Sequence, residues 1–145
     1  MLRTVVSIVI LAMLAGCSTY RNVAQETLPT LPQQYAQFDV KMGWKATTDN
    51  RGTIIDGVVK NIRYFEMDDL EIWVWVLDNS GREQLRAMTF VPTLRENQAA
   101  PFAINLPPLP SGTRLSFMYR YLAYEGGGDS GNADRWMQSF DAVLP

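Results

Sequence analysis

Carboxylates carry almost all the side-chain chemistry this sequence could perform. Histidine is absent from its 145 residues, and Cys17 is the sole cysteine. Without imidazole, Ser-His-Asp and Cys-His mechanisms and most zinc sites are removed. No glycine-rich phosphate loop of P-loop or dinucleotide-binding spacing occurs. Two acidic stretches remain. The run EMDDLE brings together Glu66, Asp68, Asp69 and Glu71. Paired acids about 5–9.5 Å apart would suit glycoside hydrolysis, but a solvated connection whose charges guard the next apolar strand against aggregation is the preferred reading. The run EGGGDSGNAD, residues 125–134, offers Asp129, Asn132 and Asp134 on a glycine-loosened backbone. Oxygen donors of that kind suit calcium. The spacing lacks the distal glutamate of an EF-hand, and a flexible hairpin loop open to recognition accounts for the same residues.

The one thiol is explained by its surroundings. Residues 1–14 read MLRTVVSIVILAML, one positive charge followed by a short apolar run. The run is too short to span a bilayer as a helix, which needs about 20 residues, and its form is that of a secretory signal. Leu14-Ala15-Gly16-Cys17 resembles the lipobox of bacterial lipoprotein precursors. That resemblance implies cleavage before Cys17, diacylation of its sulfur and acylation of the new amino group. Several acyl chains, at about 0.8 kcal/mol for each buried CH₂, anchor a protein nearly permanently. Ser18 follows the cysteine where an aspartate favours inner-membrane retention in enteric-type bacteria. The resemblance therefore implies an outer-membrane lipoprotein facing the periplasm, with the covalent lipid as its only cofactor.

Removing residues 1–16 takes away Arg3 and leaves 12 basic against 15 acidic side chains. A mildly acidic chain of this kind suits neither nucleic acid nor a polybasic lipid-binding surface. With Cys17 lipidated no disulfide can form, so the core alone must hold the fold. The expected organisation is a signal peptide over 1–16, a lipidated flexible tether over 17–34 around Pro29 and Pro32, and one folded domain over 35–145.

Strand signals dominate that domain. FDVKMGWKA (38–46) alternates Phe38, Val40, Met42 and Trp44 with Asp39, Lys41 and Lys45. GTIIDGVVKNI (52–62) is β-branched, and LEIWVWVLD (70–78) is the strongest strand, ending in the turn residues DNSG. REQLRAMTFVP (82–92), PFAINLP (101–107), TRLSFMYRYLAY (113–124) and RWMQSFDAVL (135–144) follow. About seven short strands at regular spacing predict an all-β fold, an immunoglobulin-like antiparallel sandwich, with a small antiparallel barrel as the alternative. The Cys…Trp…Cys signature of antibody domains is absent.

Three stretches carry a further resemblance: GVVKN (57–61), VWVLDNSG (74–81) and LRENQAAPF (94–102). Together they are similar to the FxLYD family of bacterial extracytoplasmic domains, over about 50 residues. Val74 stands where that family has phenylalanine and Leu77 where it has tyrosine. The resemblance implies an immunoglobulin-like fold and no catalytic residue.

One strand offers a surface for recognition. In LEIWVWVLD, Leu70, Ile72, Val74 and Val76 suit a core, while Trp73, Trp75 and Leu77 fall on the other face with Glu71. A strand with one solvated face should alternate with polar residues, so this second face is either covered or offered to a partner. Tyr124 and Trp136 would extend it if their strands lie alongside, as would Met118 and Leu122. Covering by the N-terminal strand, by PPLP (107–110) or by snorkelling arginines is the plainer account. A partner surface is the functional one. The expected protein is thus a non-enzymatic, lipid-anchored envelope module that binds an envelope protein or a glycan. The alternative is a calcium or small-ligand binder using residues 125–134.

Overall fold

A computed structural model describes residues 23–124 and 133–145. Its eight strands form two four-stranded antiparallel sheets packed face to face, an immunoglobulin-like β-sandwich and not a barrel. A five-residue helix, α1 (Val23–Thr27), and one 3₁₀ turn (Leu28–Thr30) precede them. The strands are β1 (Gln33–Ala36), β2 (Val40–Thr48), β3 (Thr53–Asn61), β4 (Glu66–Leu77), β5 (Glu83–Val91), β6 (Ala99–Leu106), β7 (Arg114–Tyr124) and β8 (Asp134–Val143). The first sheet has the order β1-β2-β3-β6 and the second β5-β4-β7-β8. Among the described residues no helix is long and apolar enough to cross a membrane.

Alternation places the core. From the first sheet come Val40, Met42, Trp44, Ile55, Val59, Phe102 and Ile104, and from the second Ile72, Val74, Leu115, Phe117, Tyr119 and Tyr121. The margin between β1 and β8 is closed by aromatic contact: Tyr35 stacks on Phe140 at 3.7 Å, and Phe140 stacks on Phe117 at 5.0 Å. Gly57 lets the first sheet pack, because a Cβ there would lie 2.3 Å from the Phe102 ring and 2.7 Å from the Gly43 carbonyl.

Three sequence expectations are corrected here. The stretch expected as tether up to residue 34 is folded from Val23 onward. Leu28 is buried over Gly43, and Gln34 Nε2 donates to the carbonyls of Leu28 and Leu31, each at 2.8 Å. Gln33–Ala36 then adds an eighth strand by pairing with β2. Secondly, β4 begins at Glu66 and not at residue 70, because a bulge between Asp68 and Glu71 lets the acidic run join the sheet. Thirdly, Asp39, expected on the solvated side of its strand, is wholly buried, while Phe38 is 43% exposed.

Candidate functional site

The outer face of the second sheet is built by strand parity. Trp73, Trp75 and Leu77 of β4 point away from the core; Met88 and Phe90 of β5, Met118 and Leu122 of β7, and Met137 of β8 lie on the same side by register. Phe90 is 66% and Met137 63% exposed. The helical segment lies on the other sheet, so no helix among the described residues covers this face.

Within the face the tryptophans are held in a fixed arrangement. Their rings stack on each other at 6.0 Å and 20°. Trp73 Nε1 donates to Glu71 Oε2 at 2.7 Å, and the Arg86 and Arg120 guanidinium groups lie 5.8 and 6.0 Å from the Trp73 ring centre. Arg120 also donates to both Glu71 oxygens, at 2.6 and 2.9 Å. Chiefly through that pairing, the Glu71 carboxyl is held below its usual range and the Arg120 guanidinium above its own. Arginines therefore cover part of Trp73, while the flanking Phe90 and Met137 remain open.

Of the two further aromatics expected in this surface, Tyr124 shares the face but sits at its far end, and Trp136 lies elsewhere. Tyr124 ends β7 on the same face, opposite Glu66 and well away from Trp75, which pairs with Ser116. Trp136 pairs with Tyr121 and so belongs to the inner face of the edge strand, where its ring meets Phe38 at 5.5 Å. One misplaced parity step in β8 separates it from the patch.

The acidic run is dispersed among separate partners. Glu66 pairs with Arg95 at 3.3 Å, Asp68 accepts from the Thr93 hydroxyl, and Glu71 is engaged as above. Asp69 is exposed with φ of 50° at the bulge. Of the proposed ion ligands, Asp129 and Asn132 lie outside the described residues, and Asp134 is the exposed first residue of β8. Cys17 also lies outside them. Among the described residues no group of three or more acidic, cysteine or histidine side chains could hold a metal ion.

Two features escaped the sequence reading. A carboxylate, Asp39, sits in the core and accepts hydrogen bonds from Tyr119 at 2.7 Å and Tyr121 at 2.8 Å. Burial, reinforced by that carboxylate, pushes both tyrosine hydroxyls far above their ordinary range. This constellation is closed to solvent and serves the fold. The second feature is a groove of about 1010 Å³ on the outer face of the first sheet, between α1 and strands β3 and β6, with Val23, Leu31, Val58, Leu94 and Pro101 in its walls. No sequence signal marks it, because its wall is the segment read as tether.

Asn61, the last residue of GVVKN, ties the loops at one end together. Its Nδ2 donates to the carbonyls of Phe65 and Leu94 at 2.8 and 2.9 Å, and its Oδ1 accepts from Arg63 N at 2.7 Å. Gly57 and Asn61 thus have packing roles.

No protein-family model and no curated protein sequence matches the chain. Solved structures share its fold. The GAE domain of GGA2p from Saccharomyces cerevisiae superposes with a TM-score of 0.50 at 12% identity, covering 78% of this chain and 96% of that one. The C-terminal domain of wzt gives 0.50 at 11% identity, covering 81% and 83%. At such identities the likeness shows the sandwich architecture alone.

Proposed function

We propose that the chain is a non-catalytic module of the bacterial cell envelope, anchored by lipid on Cys17 in the outer membrane and facing the periplasm. Its task is to dock an envelope protein on the outer face of the β5-β4-β7-β8 sheet. The observation that carries this reading is the set of apolar side chains that all four strands contribute to that face, among Glu71, Arg86, Arg120 and Asp141, with Phe90 and Met137 standing exposed at its margins. Tryptophan and arginine are the residues that dominate interface energetics, and methionines adapt their shape to a partner. A protein suits the face better than a glycan. Sugar rings stack on open aromatic faces, whereas Trp73 and Trp75 turn theirs toward each other, and Arg86 and Arg120 lie over Trp73. The lack of histidine and the commitment of the only thiol to lipid support a non-enzymatic role.

Photo-crosslinking in living cells tests the docking. A photoreactive phenylalanine analogue at Phe90 should give one discrete adduct with an envelope protein. The same analogue at Ile54, exposed on the opposite sheet, should give none. Absence of an adduct at Phe90 and Met137, or the same adduct at Ile54, would contradict the reading.

A further inference from the structure

The two ends of the sandwich are made of different residues. At one end two of the three connections are polar turns, residues 48–52 reading TDNRG and residues 78–82 reading DNSGR, and the third, residues 107–113, reads PPLPSGT. There Asp78 accepts from the backbone N–H groups of Ser80 and Arg82, and Asp49 from those of Arg51 and Gly52. At the other end the turn before β2, the β3–β4 connection and the start of β8 bring up aromatic side chains. Nine large apolar residues are well exposed among those described; Val23, Phe38, Tyr64, Tyr124 and Trp136 are at this second end. Phe90 and Met137 adjoin it, and Ile54 and Val143 alone lie toward the polar end.

The aromatic end also holds a cation with unusual surroundings. The Arg63 guanidinium lies 5.8 Å from the Phe38 ring centre, 5.4 Å from Tyr64 and 5.5 Å from Phe65. Its Nε is buried without a hydrogen-bond partner, and Arg63 forms no ion pair among the described residues. Phe38 in turn meets Trp136 edge-on. Arg63 and these rings form one contiguous rim.

The chain enters the fold at this same end. With its amide turned so that both atoms find partners, Gln25 accepts from Lys60 Nζ at 3.1 Å and donates to the Asn97 carbonyl at 3.3 Å. Helix α1 therefore lies beside the β5–β6 connection, at the same end as the rim. Five residues separate Val23 from Cys17, and the six Cα steps reach at most about 20 Å.

We infer that this end of the sandwich is seated in the headgroup layer of the membrane that holds Cys17. Phe38, Tyr64 and Trp136 enter the interface, and Arg63 meets the lipid phosphates. The inference rests on the proposed lipid anchor and adds an orientation to it. Tryptophan and tyrosine are favoured at the membrane–water interface because one part of the ring is apolar and the other polar, and arginine carries its charge to the headgroups along an apolar stem. A short tether brings the rim within reach of the bilayer. The strands then stand upright on the membrane, the polar turns point into the aqueous space, and the outer face of the second sheet is open to a partner from the side.

The test uses the full-length protein in its lipidated form, reconstituted into phosphatidylethanolamine–phosphatidylglycerol vesicles with bromines placed near the headgroups. Tryptophan emission should be quenched, the quenched component should vanish in Trp136→Phe, and it should persist in Trp75→Phe. Phe38→Ser with Tyr64→Ser should reduce the quenching at least twofold while the thermal midpoint stays within a few degrees. Intact mass separates the two ideas. A lipidated protein whose Trp136 is not quenched overturns the seating alone, and a product without lipid overturns both. Shielding of Trp136 in native membranes but not in pure lipid vesicles would mean that a protein covers this end, and would also overturn the seating.

Discussion

The Tyr119 hydroxyl donates to Asp39 Oδ1 at 2.7 Å across 80 residues of sequence, joining the turn before β2 to the centre of β7. The second oxygen of the same carboxylate accepts from Tyr121. Asp39→Ala would leave two buried hydroxyls without an acceptor. An unpaired buried polar group costs roughly 1–3 kcal/mol, so the variant should lose at least that much in urea denaturation. Asp39→Asn, which keeps an acceptor oxygen, should lose less. Equal losses would mean that the carboxylate only fills space.

The same pair sets an alkaline limit. Both tyrosine hydroxyls are raised above their ordinary value near 10, first by burial and then by Asp39. A raised value in the folded state means that their contribution to stability is complete below about pH 10, where the unfolded tyrosines are still neutral, and falls as pH rises above it. The loss can approach about 1.4 kcal/mol per pH unit for each tyrosine. Tyr121→Phe should make the decline above pH 10 visibly shallower in denaturation midpoints measured across the alkaline range.

Gly57→Ala should destabilise through crowding, since the new methyl would meet the Phe102 ring and the Gly43 carbonyl. Overpacking of this kind costs roughly 1–3 kcal/mol. Combining it with Phe102→Leu should recover part of the loss, as a double-mutant cycle would show.

The Glu71–Arg120 pair predicts an acid-side effect. Glu71 is held below its ordinary value chiefly by the two hydrogen bonds from Arg120, against the opposing effect of burial. A lowered folded-state value means stability that is present above the unfolded carboxylate range near pH 4.5 and is lost as pH falls below it. Arg120→Gln should therefore lower the denaturation midpoint at neutral pH. The difference from the parent should shrink as pH drops below about 4.

How far the sequence discloses this molecule depends on the range of the interactions. The LEIWVWVLD strand is plain to read, because alternating apolar residues fix which side chains go inward, and Trp73, Trp75 and Leu77 do share an outer face. Turn residues such as DNSG at 78–81 mark their connection through hydrogen bonds made within a few positions. The N-terminal segment is a different case. Pro29, Pro32 and the lack of periodicity suggest a linker, and it is the contact of Leu28 with Gly43 and the hydrogen bonds from Gln34 that show the segment folding back. Asp39 belongs to the same class, since alternation puts it outside and two tyrosines from a distant strand bring it in. Trp136 illustrates a finer limit: its strand is legible, but which face it serves depends on register with β7.

The proposed anchor on Cys17 would fix where the protein works, and one measurement addresses it directly: the intact mass of the protein extracted from the membranes of the cells that make it. A polypeptide beginning at Cys17 and carrying a diacylglyceryl group plus one amide-linked acyl chain is the result predicted. A chain that retains residues 1–16, or one cleaved at another position and free of lipid, would contradict the account.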